Sequence, residues 1–122
     1  MDIEPALKSA MTIDGALGAA LVDYDSGMAL GTLGGDHHLD LDVAAAGNTE
    51  VVRAELRVMA ALGLADDIED VLITLGQQYH LIRLLPSVRS STLFMYLALD
   101  RRKANLALAR HELRQIDKAL TI

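Results

Sequence analysis

The chain has no cysteine and no tryptophan, two prolines, and one phenylalanine beside three tyrosines. Without cysteine there are no disulfides, thiolate metal sites or cysteine nucleophiles, and a reducing compartment is suitable, so the expected location is cytoplasmic. With aromatics at 3%, the core has to come from Leu, Ala, Val and Met. The longest unbroken apolar run, residues 93–99, is far short of the ~20 residues a membrane helix needs. No positively charged start followed by an apolar run opens the chain, so the expectation is a soluble protein with no ordinary export signal and no membrane insertion. Bases are also few, 11 against 17 acids for a net charge of −6, which argues against nucleic acid as a partner.

What is present is aliphatic surface. At 122 residues the chain is expected to form one domain, 1–122, yet 52% of it is hydrophobic and its mean hydropathy is +0.27. That surplus on so small a domain points to burial against another chain, and so to a homodimer.

Residues 92–99 carry no polar alternation, the pattern of a strand covered on both faces. After Asp100 the period becomes helical, with Leu106, Ala109, Leu113, Ile116 and Leu120 on one stripe about 80° wide. Earlier in the chain, residues 3–11 form a short helix and residues 15–22 a second doubly apolar strand. Residues 23–27 have the Asp/Ser/Gly chemistry of a hairpin turn, returning through a strand at 28–33. Residues 39–42 are expected to be extended or irregular. Helix composition runs from Val43 to Leu62, interrupted at Gly47-Asn48-Thr49, where either a new helix is capped or one helix passes with a kink. Gly63 is placed as a C-cap glycine. Strands at 68–75 and 79–85 with a turn at 76–78, then a loop at 86–90, complete a meander with the strand at 91–99.

The order is α-β-β-α-β-β-β-α, with adjacent strands antiparallel. Two doubly apolar strands demand helices on both faces of the sheet, an α/β (α+β) arrangement in three layers. On residues 50–62, Val51, Val52, Leu56, Val58, Met59 and Leu62 spread over about 160°, more than one contact face requires. This helix is expected to touch two things.

The chain resembles the roadblock/LC7 domain, the family of dynein light chains and bacterial regulators of small Ras-like GTPases. The residues that carry the resemblance are Asp14-Gly15-Ala16-Leu17-Gly18-Ala19-Ala20-Leu21-Val22-Asp23 with Ser26-Gly27-Met28-Ala29-Leu30, Ala60-Ala61-Leu62-Gly63-Leu64, and Ala104-Asn105-Leu106-Ala107-Leu108-Ala109-Arg110-His111-Glu112-Leu113-Arg114. Where many members have a Pro-Gly-Val-like entry to the first strand, this chain has Ile13-Asp14-Gly15. The resemblance implies a single five-stranded antiparallel sheet in the order 2-1-5-4-3, the middle helix on one face and the terminal helices on the other. It further implies a homodimer or pseudo-dimer in which third strands pair edge to edge and middle helices pack together. The interface residues are then Val51, Val52, Glu55, Val58, Met59, Leu62, Val71, Leu72 and Ile73. Pairing centred near Leu72 sets Asp70 opposite Thr74 and Asp67 opposite Gln77, avoiding acid against acid.

Chemistry-bearing motifs are few. Asp36-His37-His38 with Asp40 and Asp42 has metal-ligand residue types without the i, i+4 spacing that fixes ligands on a helix, so a solvated loop is expected. His80 and His111 fit half-exposed strand and helix positions. Ser87, Ser90 and Ser91 lack a neighbouring His-acid pair, the glycines are not followed by Lys-Ser/Thr, and Arg89 is not assigned as a catalytic finger. No cofactor and no enzymatic activity are expected. Lys103, Arg110, Arg114 and Lys118 lie within about 80° beside the last helix's apolar stripe, either a solvated flank or a docking surface for an acidic partner. Glu55, inside the apolar arc, either snorkels or meets Arg53 or Arg57 of the partner subunit. The resulting expectation is a non-catalytic dimeric regulator or scaffold whose partner, implied by the resemblance, is a small GTPase. The alternatives are an adaptor that binds a peptide or helix regardless of nucleotide, and a small-molecule sensor.

Overall fold

The computed structural model describes residues 1–86 and 92–121. The elements run α1 (Ile3–Met11), β1 (Ala16–Asp23), β2 (Met28–Gly34), α2 (Leu41–Ala61), β3 (Asp70–Thr74), β4 (Gln78–Leu84), β5 (Leu93–Asp100) and α3 (Leu106–Ala119). The strands form one antiparallel sheet in the order β2-β1-β5-β4-β3. The expected loop from 87 and the first residue of the last strand, 91, lie outside the described residues, as do Ser87, Arg89, Ser90 and Ser91.

β5 sits at the centre, and all its residues from Phe94 to Leu99 are fully buried. Its alternate side chains enter two cores. Met95, Leu97 and Leu99 join Ala6, Leu7 and Ala10 of α1 and Ala109, Leu113 and Ile116 of α3. Phe94, Tyr96 and Ala98 join Leu41, Ala45 and Val52 of α2 on the other face. The period-2 alternation of one strand thus requires both helical layers. On the first face α1 sits close upon β2 at Gly31, where an added Cβ would lie 2.9 Å from Ile3 Cγ2 and Leu7 Cδ1.

One sequence expectation needs correction at α2, and an alternative left open there is decided. The helix begins at Leu41, because the Asp40 carboxylate accepts hydrogen bonds from the N–H groups of Asp42 and Val43 and so fixes an N-cap where extended chain was expected. It then runs unbroken through Gly47-Asn48-Thr49, which cap nothing. Asn48 Nδ2 donates to Ala44 O and Thr49 Oγ1 to Ala45 O, both at 2.8 Å, so these side chains bond back one turn instead of competing for a new start. Gly63, at φ +66°, ends the helix as expected. Its N–H donates to Ala60 O and that of Leu64 to Met59 O, the paired bonds of a Schellman motif.

Smaller differences are a β3 that begins at Asp70 rather than 68 and a turn reduced to Gly76-Gln77, with Leu75 N donating to Gln78 O. At the opposite end of the sheet, Asp23 accepts from Thr92 Oγ1 at 2.6 Å and Asp25 N at 3.0 Å, which ties the β1–β2 turn to the start of β5. Asp40→Ala is expected to cost about 1 kcal/mol of stability, the usual worth of an N-cap, with unfolding still cooperative in denaturant. An unchanged midpoint would show that the α2 start is held by packing alone.

Candidate interaction surface

β3 is an edge strand, and its backbone bonds can be counted. Leu75 N donates to Gln78 O and Leu84 N to Glu69 O, so within the β3–β4 register the bonded positions of β3 are 71 and 73. Antiparallel alternation then turns the N–H and C=O of Asp70, Leu72 and Thr74 outward, away from β4. Side chains alternate across the same strand: Val71 packs with the α2-side core and Leu72 with the α1/α3-side core.

Beside this edge, α2 leaves a gap. The helix packs chiefly on β1 and β2, and its C-terminal half stands off β3 across a cavity of about 840 Å³. Val51, Ala54, Val58, Met59, Leu64, Ile68 and Val71 supply the apolar lining, while Glu55, Asp66, Asp67, Glu69 and Asp70 form an acidic rim. Val58 is 48% exposed and Leu62, at the helix end, 67%. The wide apolar arc of α2 therefore divides in two. Leu56 packs with the α2-side core, to which the fully buried Val52 belongs, whereas Val58 and Met59 look into the groove and Val51 borders both. Val52 accordingly faces the sheet, and its place among the expected interface residues is corrected.

Arg53 does not serve the groove either. Its Nε donates to Tyr24 O, Nη2 to Asp25 O and Nη1 to Glu50, clamping α2 to the β1–β2 turn on the flank away from β3. Arg57, one turn further on, shares that flank.

The basic row at α3 is also redistributed. Lys103 lies in the turn before the Asn105 N-cap, off the helix. Arg110 is committed to Asp70 of β3, Nε to Oδ2 at 3.0 Å and Nη2 to Oδ1 at 3.2 Å, a two-bond pair with the side chains 35% and 17% exposed. Arg114 and Lys118 remain exposed. In the 36–42 loop, Asp36 accepts from the N–H groups of His38 and Leu39 and Asp40 from those of Asp42 and Val43, while the two imidazole centroids lie 4.0 Å apart with their planes tilted by 46°. Among the described residues no His/Cys/Asp/Glu group has metal-holding geometry, and no helix is long and apolar enough to cross a membrane.

On the α2 face of β4, His80 bonds Gln78 Oε1 at 2.8 Å and meets the edge of the Tyr96 ring at 5.4 Å. The Tyr96 hydroxyl is buried without a partner among the described residues, and burial pushes its pKa up to about 12.

Solved structures match this arrangement over nearly the whole chain. A Streptomyces avermitilis roadblock/LC7 domain superposes with a TM-score of 0.82 at 16% identity, covering 98% of this chain and 94% of that one. The fold is that of the roadblock/LC7 domain. The gliding protein MglB from Thermus thermophilus gives 0.76 at 17% identity, with coverages of 95% and 83%. An MglB in a tetrameric arrangement gives 0.78 at 17%, with 95% and 82%. No protein-family model matches the sequence, and no curated protein does. In this roadblock/LC7 fold the strand order and the sides taken by the helices are as the resemblance implied. The groove residues Ala54, Leu64 and Ile68 were not anticipated from sequence, since no periodic signal links a helix to the irregular segment that follows it.

Burial holds the His80 pKa below its ordinary 6.5. The native state therefore binds fewer protons than the unfolded chain just below that pH, and stability falls as pH drops from 6.5 through the folded value. In His80→Phe this segment of the stability–pH curve is expected to flatten; denaturant midpoints measured between pH 7.5 and 5 check it, and an identical slope in the variant would contradict the assignment.

Proposed function

We propose that this chain is a homodimeric, non-catalytic regulator or scaffold that binds a small Ras-like GTPase, or a complex containing one. The observation that carries the reading is the outward-facing backbone of Asp70, Leu72 and Thr74 beside the apolar groove of Val51, Val58, Met59 and Val71. An edge with free hydrogen-bonding groups is a template for another strand. A second β3 laid antiparallel about Leu72 satisfies those groups on both chains, because outward residues then face outward residues: Leu72 its own copy, and Asp70 Thr74. The twofold axis sets both α2 helices on the same side of the joined sheet, where Val58, Met59 and Leu62 of each can close the groove.

The GTPase rests on the resemblance to bacterial regulators and is consistent with the fold shared with MglB. The mechanism is binding: a preformed dimer surface shifts the partner between nucleotide states only by the difference in its affinity for them. Immobilised protein challenged with a candidate Ras-like GTPase, loaded with GDP or a non-hydrolysable GTP analogue, is expected to retain one form at least tenfold better. Equal retention would instead support an adaptor that ignores nucleotide, and no retention would contradict a GTPase partner.

Thr74→Pro offers a structural check. It removes an N–H that β4 does not use, at an exposed edge position where proline is tolerated. The variant is expected to fold as a monomer of the 13.1 kDa chain mass, whereas light scattering of the unaltered chain is expected to give twice that. A Thr74→Pro dimer would place the interface elsewhere.

A further inference from the structure

The proposed β3–β3 pairing sets charged segments side by side, and the charge complementarity across it rests on that homodimer reading. In an antiparallel β3 pair about Leu72, the segment entering β3 runs along the partner's segment leaving it. The entering segment is acidic: Asp66, Asp67 and Glu69 are exposed and enter no ion pair among the described residues. The leaving segment carries a basic turn. Arg101 N donates to Gln77 O at 3.1 Å and Arg101 Nη1 to Leu75 O at 2.9 Å, while its guanidinium lies 5.1 Å over the Tyr79 ring. Arg102 beside it is 88% exposed, with only a 3.7 Å approach to Asp100. Gly76, Gln77, Arg101 and Arg102 together line a cavity of about 200 Å³ at the hairpin tip. The three contacts of Arg101 fix where this positive charge sits relative to the β3 edge before any partner arrives.

We propose that the Arg101–Arg102 turn of each subunit lies alongside the Asp67–Glu69 segment of the partner subunit, the two segments forming two symmetry-related electrostatic latches that select the register of the dimer. With Leu72 on the axis, Glu69 lies beside Leu75 of the partner subunit and Asp67 beside Gln77 of the partner subunit. Their carbonyls are the two that hold Arg101. The apolar centre of β3, Val71-Leu72-Ile73, does little to distinguish one register from another. Moving the axis to Asp70 would set that residue against its own copy and draw the two acidic segments together, which like-charge repulsion disfavours. The same acidic rim lacks any base from α2, since Arg53 and Arg57 lie on its other flank. The second copy's 101–102 turn is the charge that complements it.

Two charge-swap variants test this. Arg101→Glu/Arg102→Glu and Asp67→Lys/Glu69→Lys are each expected to weaken the homodimer at least tenfold in sedimentation analysis, because every latch then opposes like charges. Mixed in equal amounts they are expected to recover near-unaltered affinity, since in the heterodimer one latch is reversed, the other is native, and both pair acid with base. Because Arg101→Glu also breaks the bond to Leu75, Arg102→Glu alone, at an exposed side chain, serves as a second variant with a smaller effect of the same sign. Swaps that leave the homodimers as tight as the unaltered chain, or a mixture that stays dissociated while both variants melt normally, would overturn the latch. A monomeric unaltered chain would overturn the pairing itself.

Discussion

β5 has to be covered on both faces, and the remainder of the architecture answers that need. Its alternate residues demand apolar layers above and below, which α1 with α3 and α2 provide. Its two edges demand neighbours, which β1 and β4 provide. Coverage is uneven, however. One layer has two helices, while the other has a single helix that packs chiefly on β1 and β2. The cost of that asymmetry falls at β3, where an open backbone edge and an open groove adjoin.

Those two openings are chemically different, and together they define what closes them. The edge requires an extended strand of matching antiparallel alternation, whereas the groove requires aliphatic side chains with an acidic rim left to be neutralised. A second copy of the chain, as proposed, would bring both the strand and the helix face in one rigid body. The Arg110–Asp70 pair contributes from the other side by tying α3 to the first residue of the edge strand, so Arg110 of that basic flank helps to position the edge.

Much of this was legible in the sequence because periodicity reports burial. The doubly apolar segments at 93–99 and 15–22 announced central strands, and the meander followed from turn residues. What periodicity cannot report is which neighbour a buried face meets: Val52 and Val58 belong to one apolar arc, yet one is sealed against the sheet and the other lines a groove. Nor can it see side chains that serve the backbone. Asn48 and Thr49 have the composition of a cap but bond back to Ala44 and Ala45, so the helix passes through them. Pairs distant in sequence were hidden altogether, Arg110 with Asp70 and Arg101 with Leu75.

The central claim is that the β3 edge is closed by a second β3. Amide hydrogen exchange reads it residue by residue. The N–H groups of Val71 and Ile73, bonded to β4 in either state, should stay protected at every concentration. Those of Leu72 and Thr74 should be protected in concentrated protein and lose that protection on dilution, as the dimer dissociates. Leu72 and Thr74 amides that exchange at the rate of exposed peptide groups at all concentrations would contradict the account.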